Sequence, residues 1–305
     1  MALIPPIVLG TARLGFVLPD GLVPRSRREV ELRTLDALAD AGCTALDLAA
    51  SYQLGGTERL VGHWLASRRN RDRTFLVGKG GHPYPGIRPD RLDRAALTAD
   101  LQASLRRLGV ERLDLYLLHR DAPGARLEPI VEMLGAALRA GQIGGWGVSN
   151  WSVPRIEALQ EAARAAGLPP MAASSPHFSL VDWERPPWTG SISIAGPANA
   201  GARAFHARTQ LPVLAWSPLG SGFLTSGGRG AGSYRSAANV ARRERAWTLA
   251  RERGWTVAQV ALAYLFSQPF PVSAVVAAST AEKMRENLAA ASLRLSPAEV
   301  RALEG

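Results

Sequence analysis

Two rhythms of apolar and polar residues alternate along the chain. Short runs rich in Val, Ile, Leu and aromatic residues are separated by longer stretches in which Arg, Glu, Ala and Leu recur with helical period. The runs at 6–10, 44–49, 74–79, 113–119, 144–149, 171–175, 212–216 and 273–277 predict eight strands. The stretches at about 28–41, 57–68, 93–107, 126–140, 153–166, 196–209, 256–267 and 281–291 predict helices, with a short last one near 297–303. Eight successive βα units favour a closed (β/α)8 TIM barrel over an open doubly wound sheet. At 305 residues, one such domain accounts for the whole chain.

Two connections are too long for plain βα turns: 176–195 after the sixth strand, and 217–245 after the seventh, which is rich in Gly and Ser. Both would lie on the C-terminal face of the barrel, where sites in this architecture are built. Residues 256–281 carry no charge, but Gln259, Gln268, Pro269 and Pro271 divide them into a helical half and a strand-like half. Burial therefore accounts for them better than a membrane span.

Composition adds little to this picture: 47% hydrophobic, 20% charged and a mean hydropathy of −0.02 describe an ordinary globular protein. A net charge of +10 suits a phosphate-bearing partner, either nucleic acid or a phosphorylated cofactor. The arginines are scattered over the helical stretches, with no basic tail or aromatic-interleaved stripe, so nucleic acid is not expected. The single Cys43 allows no intrachain disulfide. With no secretory pattern in Met-Ala-Leu-Ile-Pro-Pro, a cytoplasmic location is expected. Of the 36 basic residues only Lys79 and Lys283 are lysine. A compact, tunable ammonium is what arginine cannot replace.

Titratable residues stand where predicted strands end: Asp47 after the second, Lys79 after the third, His119 after the fourth, with Tyr52 in the loop following Asp47. Each alone has an ordinary structural explanation, as a cap, a surface charge or a packed ring. Barrel strand ends ring one cavity, so together they make a candidate catalytic cluster. The chemistry they suit is protonation of a carbonyl oxygen as hydride arrives at carbon. Lys79 would lower the Tyr52 pKa, Asp47 would hold the ammonium, and His119 would orient the carbonyl, without a metal. No complete G-x-G-x-x-G, P-loop, H-E-x-x-H or G-x-S-x-G is present.

The motifs Asp47-Leu-Ala-Ala-Ser-Tyr52, Leu-Asp-Leu-Tyr-Leu-Leu-His119 and Gly147-Val-Ser-Asn150, with Lys79 between the first two, resemble those of the aldo-keto reductase family. That resemblance runs from Gly10-Thr11-Ala12 to Glu286-Asn287. It implies the catalytic tetrad Asp47, Tyr52, Lys79 and His119, a small-molecule aldehyde or ketone substrate, and NADPH held without a Rossmann domain, NADH remaining possible. By the same resemblance Ser149 and Asn150 would meet the carboxamide and Trp216, where the family usually has tyrosine, would stack on the nicotinamide. Ser217, Leu219 and Ser221 would follow the pyrophosphate. Lys283, with Ser279, would lie near the 2′-phosphate, and Glu286 and Asn287 near adenine. Ser175 stands where the family carries glutamine, and Ala277 and Ala278 where many members carry basic and hydroxyl groups. The family's N-terminal hairpin is nearly absent.

Two other readings stay open at this stage: a nicotinamide-binding regulatory subunit without turnover, and a barrel aldolase with Lys79 as Schiff-base nucleophile. The substrate pocket is expected to be walled by 176–195, through Phe178, Trp183 and Trp188 beside Asp182, Glu184 and Arg185, together with the first loop, 12–24. The loop 120–125 is too short to form a wall. Such a lining would suit a hydroxylated, sugar-like carbonyl compound. The equal alternative is that the tryptophans plug gaps between helices.

Overall fold

The computed structural model of the chain describes residues 3–16, 25–83, 90–122, 124–225 and 232–305. Strands β1 (Ile7–Gly10), β2 (Ala45–Asp47), β3 (Phe75–Gly80) and β4 (Leu115–Leu118) are followed by β5 (Trp146–Ser149), β6 (Ala173–Ser175), β7 (Val213–Trp216) and β8 (Val272–Val276). All eight pair in parallel and in chain order, and β8 returns to β1 through Val8 opposite Val275, closing the expected barrel. Every strand predicted from the apolar pattern is present, generally shorter at one or both ends than the run that encodes it.

Ten α-helices surround the barrel among the described residues: α1 (Arg25–Asp40), α2 (Gly56–Arg68), α3 (Arg94–Leu108), α4 (Glu128–Arg139), α5 (Val153–Ala165), α6 (Ala200–Thr209), α7 (Ala237–Arg253), α8 (Val257–Phe266), α9 (Ala281–Ala289) and α10 (Pro297–Glu304). Local chemistry sets their ends. Asp93 caps α3 by accepting from the Ala96 amide, and left-handed Gly109 stops it. Thr256 with Gln259, and Ser296 with Glu299, form capping boxes for α8 and α10.

Helix α7 corrects the expectation of a long loop over 217–245. Its 17 residues include five arginines, and its buried face is Asn239, Ala246 and Ala250, so alanine rather than leucine carries the helical period. The Ser236 cap and the left-handed Gly254 stop do mark its ends. The α-helix that follows β7 therefore begins at Ala237, inside the expected loop. None of the helices among the described residues is long and apolar enough to cross a membrane.

The barrel interior is filled by its own apolar cluster, including Val8, Ala45, Val77, Leu115, Leu117, Ala173, Leu214 and Val275, with Ile4 and Phe75 packed against it. A much larger cluster lies between barrel and helices. The interior is tight: a side chain on Gly147 would put its Cβ 2.2 Å from the Ala173 carbonyl oxygen. This core holds the strand ends in fixed positions at one rim.

Candidate active site

Successive residues of a strand face opposite sides, so positions two apart face alike. Ala45, Val77, Leu117, Ala173 and Leu214 belong to the interior cluster. Two residues beyond each, toward the C-terminal rim, stand Asp47, Lys79, His119, Ser175 and Trp216. Ser149 has the same parity, being paired with Ser175 across β5 and β6. The alternation that builds the core therefore delivers these side chains to one mouth, and none except Trp216 is more than slightly exposed.

There Lys79 Nζ lies 2.6 Å from Asp47 Oδ1, and it donates to Tyr52 OH at 3.1 Å and to the Leu48 carbonyl at 3.0 Å. The ammonium thus makes two hydrogen bonds and one close ion pair. The Tyr52 hydroxyl is also 3.4 Å from Asp47 Oδ2, and its ring meets that of His119 edge-on at 5.7 Å. The four sequence-predicted catalytic residues are all brought together.

Electrostatics alters one expectation. Burial pushes the Tyr52 phenol above its ordinary value, and this outweighs the lowering exerted by Lys79. Lys79 itself is raised: burial opposes the ammonium, but the negative charge available from Asp47 and Tyr52 more than compensates. His119 falls well below the ordinary imidazole range through burial, then through Lys79, His82 and Arg120. At neutral pH the cluster is an ion pair, a protonated phenol and a neutral imidazole.

The rest of the rim combines strained backbone with polar side chains. Seven non-glycine residues have positive φ among the described residues; Arg69 and Gln210 are helix stops, and the other five, Gln53, Leu54, Asn150, Ser217 and Ser221, lie just beyond β2, β5 and β7. Strain of this kind costs about 1–3 kcal/mol per residue and concentrates at functional sites. Ser217 and, beyond Pro218 and Leu219, the consecutive Gly220, Ser221 and Gly222 are left-handed (φ 52°, 59°, 51° and 87°), a backbone geometry that turns amides toward a common side. Trp216 packs its ring near those of His177, Trp183 and Trp188, and its buried indole N–H has no acceptor among the described residues.

Ser149 donates to the Ser175 carbonyl at 3.0 Å and accepts from Asn150 Nδ2 at 2.9 Å, while Asn150 Oδ1 accepts from the Ile192 amide at 3.2 Å. Each keeps hydrogen-bonding capacity for a carboxamide. On the opposite rim Thr11 donates to the Asp47 carbonyl at 2.7 Å, Gly10 pairs with Asp47, and the Ala12 carbonyl accepts from Gln53. Thr280 caps α9, where exposed Lys283 reaches Ser279 Oγ at 3.4 Å. Glu286 and buried Asn287 follow one turn later. Leu219 is partly buried just before the 220–222 turn and packs against the core.

Several functional neighbours escaped the sequence reading. Ser51 lies 3.4 Å from His119 Nδ1, and the His82 ring meets that of His119 at 4.8 Å. Arg107 supports the Tyr52 loop from below: it pairs with the fully buried Glu58 at 3.0 Å and donates to the Ala50 carbonyl. Gly55, at φ 81°, leaves room for this guanidinium, since a Cβ there would sit 2.5 Å from it. Arg120 crosses from the end of β4 to the 176–195 segment, donating to the Gly190 carbonyl at 3.1 Å and to Ser191 Oγ at 3.3 Å. The short 120–125 loop thus does contribute to the mouth.

The 176–195 segment divides between the two expected roles. Phe178 is fully buried against Tyr264 and Phe270, and Trp183 stacks on His177 at 4.3 Å. Trp188 is 59% exposed, with its ring 5.9 Å from Trp216. Asp182 turns inward to accept from Ser193 and from the Trp183 amide. Of the expected first-loop wall, residues 17–24 lie outside the described residues.

The aldo/keto reductase family model matches residues 6–305. An aldo-keto reductase of Schizosaccharomyces pombe, described with NADP(+), is 27% identical over 90% of this chain and 82% of its own length. Methylglyoxal reductase YeaE of Escherichia coli is 29% identical over 92% of this chain and 85% of its own. A crystal structure of a Klebsiella pneumoniae aldo/keto reductase with NADP and acetate is similar at a TM-score of 0.74 and 28% identity, covering 98% of this chain and 90% of that one.

Proposed function

The chain belongs to the aldo/keto reductase family, and on that premise we propose that it reduces an aldehyde or ketone to the alcohol, with NADPH as hydride source and Tyr52 as proton donor. The observation that carries this reading is the tethered Lys79: its ammonium is ion-paired with Asp47 and hydrogen-bonded to Leu48 and Tyr52, with the phenol the only one of these partners able to give up a proton to a ligand.

When bound, the reduced nicotinamide supplies the hydride. Tyr52 holds a proton at its hydroxyl, raised by burial so that it stays in place at neutral pH. As the carbonyl oxygen becomes negative, Lys79 stabilises the phenolate left behind, and Asp47 keeps the ammonium from turning away. Neutral His119 has an N–H to offer the same oxygen, with Ser51 close to its Nδ1. Ser149, Asn150 and Ser175 would hold the carboxamide, Trp216 the ring, and Ser217, Leu219 and Ser221 the pyrophosphate. Gly10, Thr11 and Ala12 close the near rim; Ser279, Lys283, Glu286 and Asn287 would hold the adenosine end. NADP in the descriptions of the S. pombe and Klebsiella relatives supports this cofactor. Lys283 as the one lysine at that end favours NADPH over NADH.

A Schiff-base role for Lys79 is disfavoured because its nitrogen is held protonated beside Asp47. The sugar-like substrate loses part of its support, since Asp182 is used inside its own segment and only exposed Glu184 and Arg185 are left to meet hydroxyls. The test is loss of NADPH absorbance with a panel of aldehydes, ketones and sugar carbonyls. No turnover with any of them, together with intact NADPH binding, would leave the regulatory-subunit reading in its place.

A further inference from the structure

Charges around the mouth do not balance. Lys79 is matched by Asp47, and burial lowers both His119 and His82 so that each is neutral at physiological pH. Arg120, directly after His119, is half-buried, and a guanidinium keeps its charge there. The acid next to it in sequence is committed elsewhere, Asp121 being held by Arg155 at 3.1 Å. Among the described residues no carboxylate pairs with Arg120. Its two acceptors, the Gly190 carbonyl and Ser191 Oγ, are neutral, and both are reached through Nη1. Among the described residues Nε and Nη2 have no acceptor, which leaves their protons available along one edge of the fork.

The position of this charge is as telling as its isolation. The same contacts to Gly190 and Ser191 set the guanidinium beside the loop that carries exposed Trp188, whose ring approaches Trp216. It is near enough to the proton donor for the ionisation of Tyr52 to be felt at Arg120, and for Arg120 to depress His119. A cation this poorly neutralised, in a partly dehydrated mouth, costs free energy unless an anion arrives.

We propose that Arg120 is the substrate anchor of this enzyme and that its physiological substrate is a carbonyl compound bearing a carboxylate, bound with the carboxylate on the free guanidinium edge and the carbonyl at Tyr52 and His119. A single guanidinium matches a monoanion better than a phosphate dianion, and its flat edge matches a carboxylate in geometry. This inference rests on the reductase reading for the location of the reacting carbonyl. The net positive charge of the whole chain would also draw an acid toward the mouth.

The experiment compares 2-, 3- and 4-carboxybenzaldehyde with their methyl esters, in the wild-type protein and in R120Q, R120K and S191A. In the wild type at least one acid is expected to exceed its ester in kcat/KM by tenfold or more. In R120Q that ratio falls by roughly 10- to 100-fold, as for loss of a charge-assisted hydrogen bond. R120K restores part of it, and S191A, which keeps the charge, retains it. Wild-type preference for every ester, or a fall of acid and ester together in R120Q with the ratio kept, overturns the proposal. Tryptophan quenching by the acids separates the two readings: acid binding that R120Q abolishes, without any NADPH oxidation, sustains the anchor and rejects the reductase.

Discussion

Lys79 and Tyr52 are joined twice, by a 3.1 Å hydrogen bond from Nζ to the hydroxyl and by a cation–π contact with Nζ 4.8 Å from the ring centre. Removing the hydroxyl therefore leaves the ring, the ion pair with Asp47 and the Leu48 contact in place. Tyr52→Phe is expected to bind NADPH with near-wild-type affinity and to lose ~10²–10⁴-fold in carbonyl reduction, the usual worth of a general acid. Steady-state rates and cofactor titration check both halves. More than about a tenth of the activity remaining would remove Tyr52 from its role. Lys79→Arg is expected to fail as well, because a planar fork cannot occupy a site shaped for one compact ammonium between Asp47, Leu48 and Tyr52.

The pKa directions set the pH profile. A general acid works only while protonated, and the Tyr52 pKa is raised. Reduction is therefore expected to be level through neutral pH and to fall only on the alkaline side, above the ordinary tyrosine value of about 10. His119 is lowered well below the ordinary imidazole range, so no acid limb near about pH 6.5 is expected from it. A limb in kcat/KM centred near neutrality would contradict both assignments.

Cofactor choice rests on one exposed ammonium. Lys283 reaches only Ser279 Oγ, and the end of β8 offers Ala277 and Ala278 in place of basic or hydroxyl groups. An exposed charge of this kind contributes modestly, so NADPH is expected to bind tighter than NADH by about tenfold. Lys283→Ala should bring the two together, chiefly by weakening NADPH, as read by tryptophan quenching. Equal affinities already in the wild type would refute the assignment.

Much of this site was legible because barrel geometry turns strand order into proximity. Asp47, Lys79 and His119 each lie two residues beyond an inward apolar residue, a regularity visible in the sequence once the strands are placed. Arg120 was not legible: its neighbour His119 fixes where its backbone is, but a long side chain can leave in any direction, and only the three-dimensional meeting with Gly190 reveals that it lines the mouth. Helix α7 was hidden for a different reason, its buried face being alanine and asparagine among arginines. The direction of the Tyr52 shift depended on how deeply the phenol is buried, which residue types alone do not state.

The division of the 176–195 segment yields opposite expectations for its two tryptophans. Trp183 is stacked on a buried histidine and lies 5.5 Å from Trp216, so Trp183→Ala should lower Tm and cost on the order of 2 kcal/mol or more. Trp188 is mostly exposed beside Trp216, so Trp188→Ala should leave Tm nearly unchanged while altering relative kcat/KM among substrates. Thermal melts and a substrate series distinguish them. An unchanged ranking in Trp188→Ala would make that residue mere surface.

The same segment should make stability depend on pH through His177. Ser193 donates to Asp182 Oδ1 at 3.2 Å, so it accepts from His177 Nδ1–H at 2.9 Å, and Nε2 then accepts from the Tyr234 hydroxyl at 3.0 Å. A neutral imidazole satisfies this chain, whereas a second ring proton would face a donor in a dehydrated site. Burial accordingly lowers the His177 pKa from 6.5 to about 3. In the unfolded chain the ring takes up its proton below about pH 6.5, while the folded protein does not until near pH 3. The unfolded state thus binds more protons throughout that window. The contribution of His177 is fully present above it and is lost as pH falls, at up to ~1.4 kcal/mol per pH unit. Tyr234 also contacts Ser221, so opening this chain would loosen the left-handed turn at Ser217–Gly222 as well. Denaturant melts at about pH 7 and about pH 5 should show the wild type losing on the order of 2 kcal/mol more than His177→Gln between the two. His119 and His206 are buried in both proteins and drop out of the comparison. Equal losses in the two proteins would mean that His177 stays neutral in the unfolded chain or accepts its proton without cost in the folded one, and the buried chain from Tyr234 to Asp182 would then not be what makes this segment acid-sensitive.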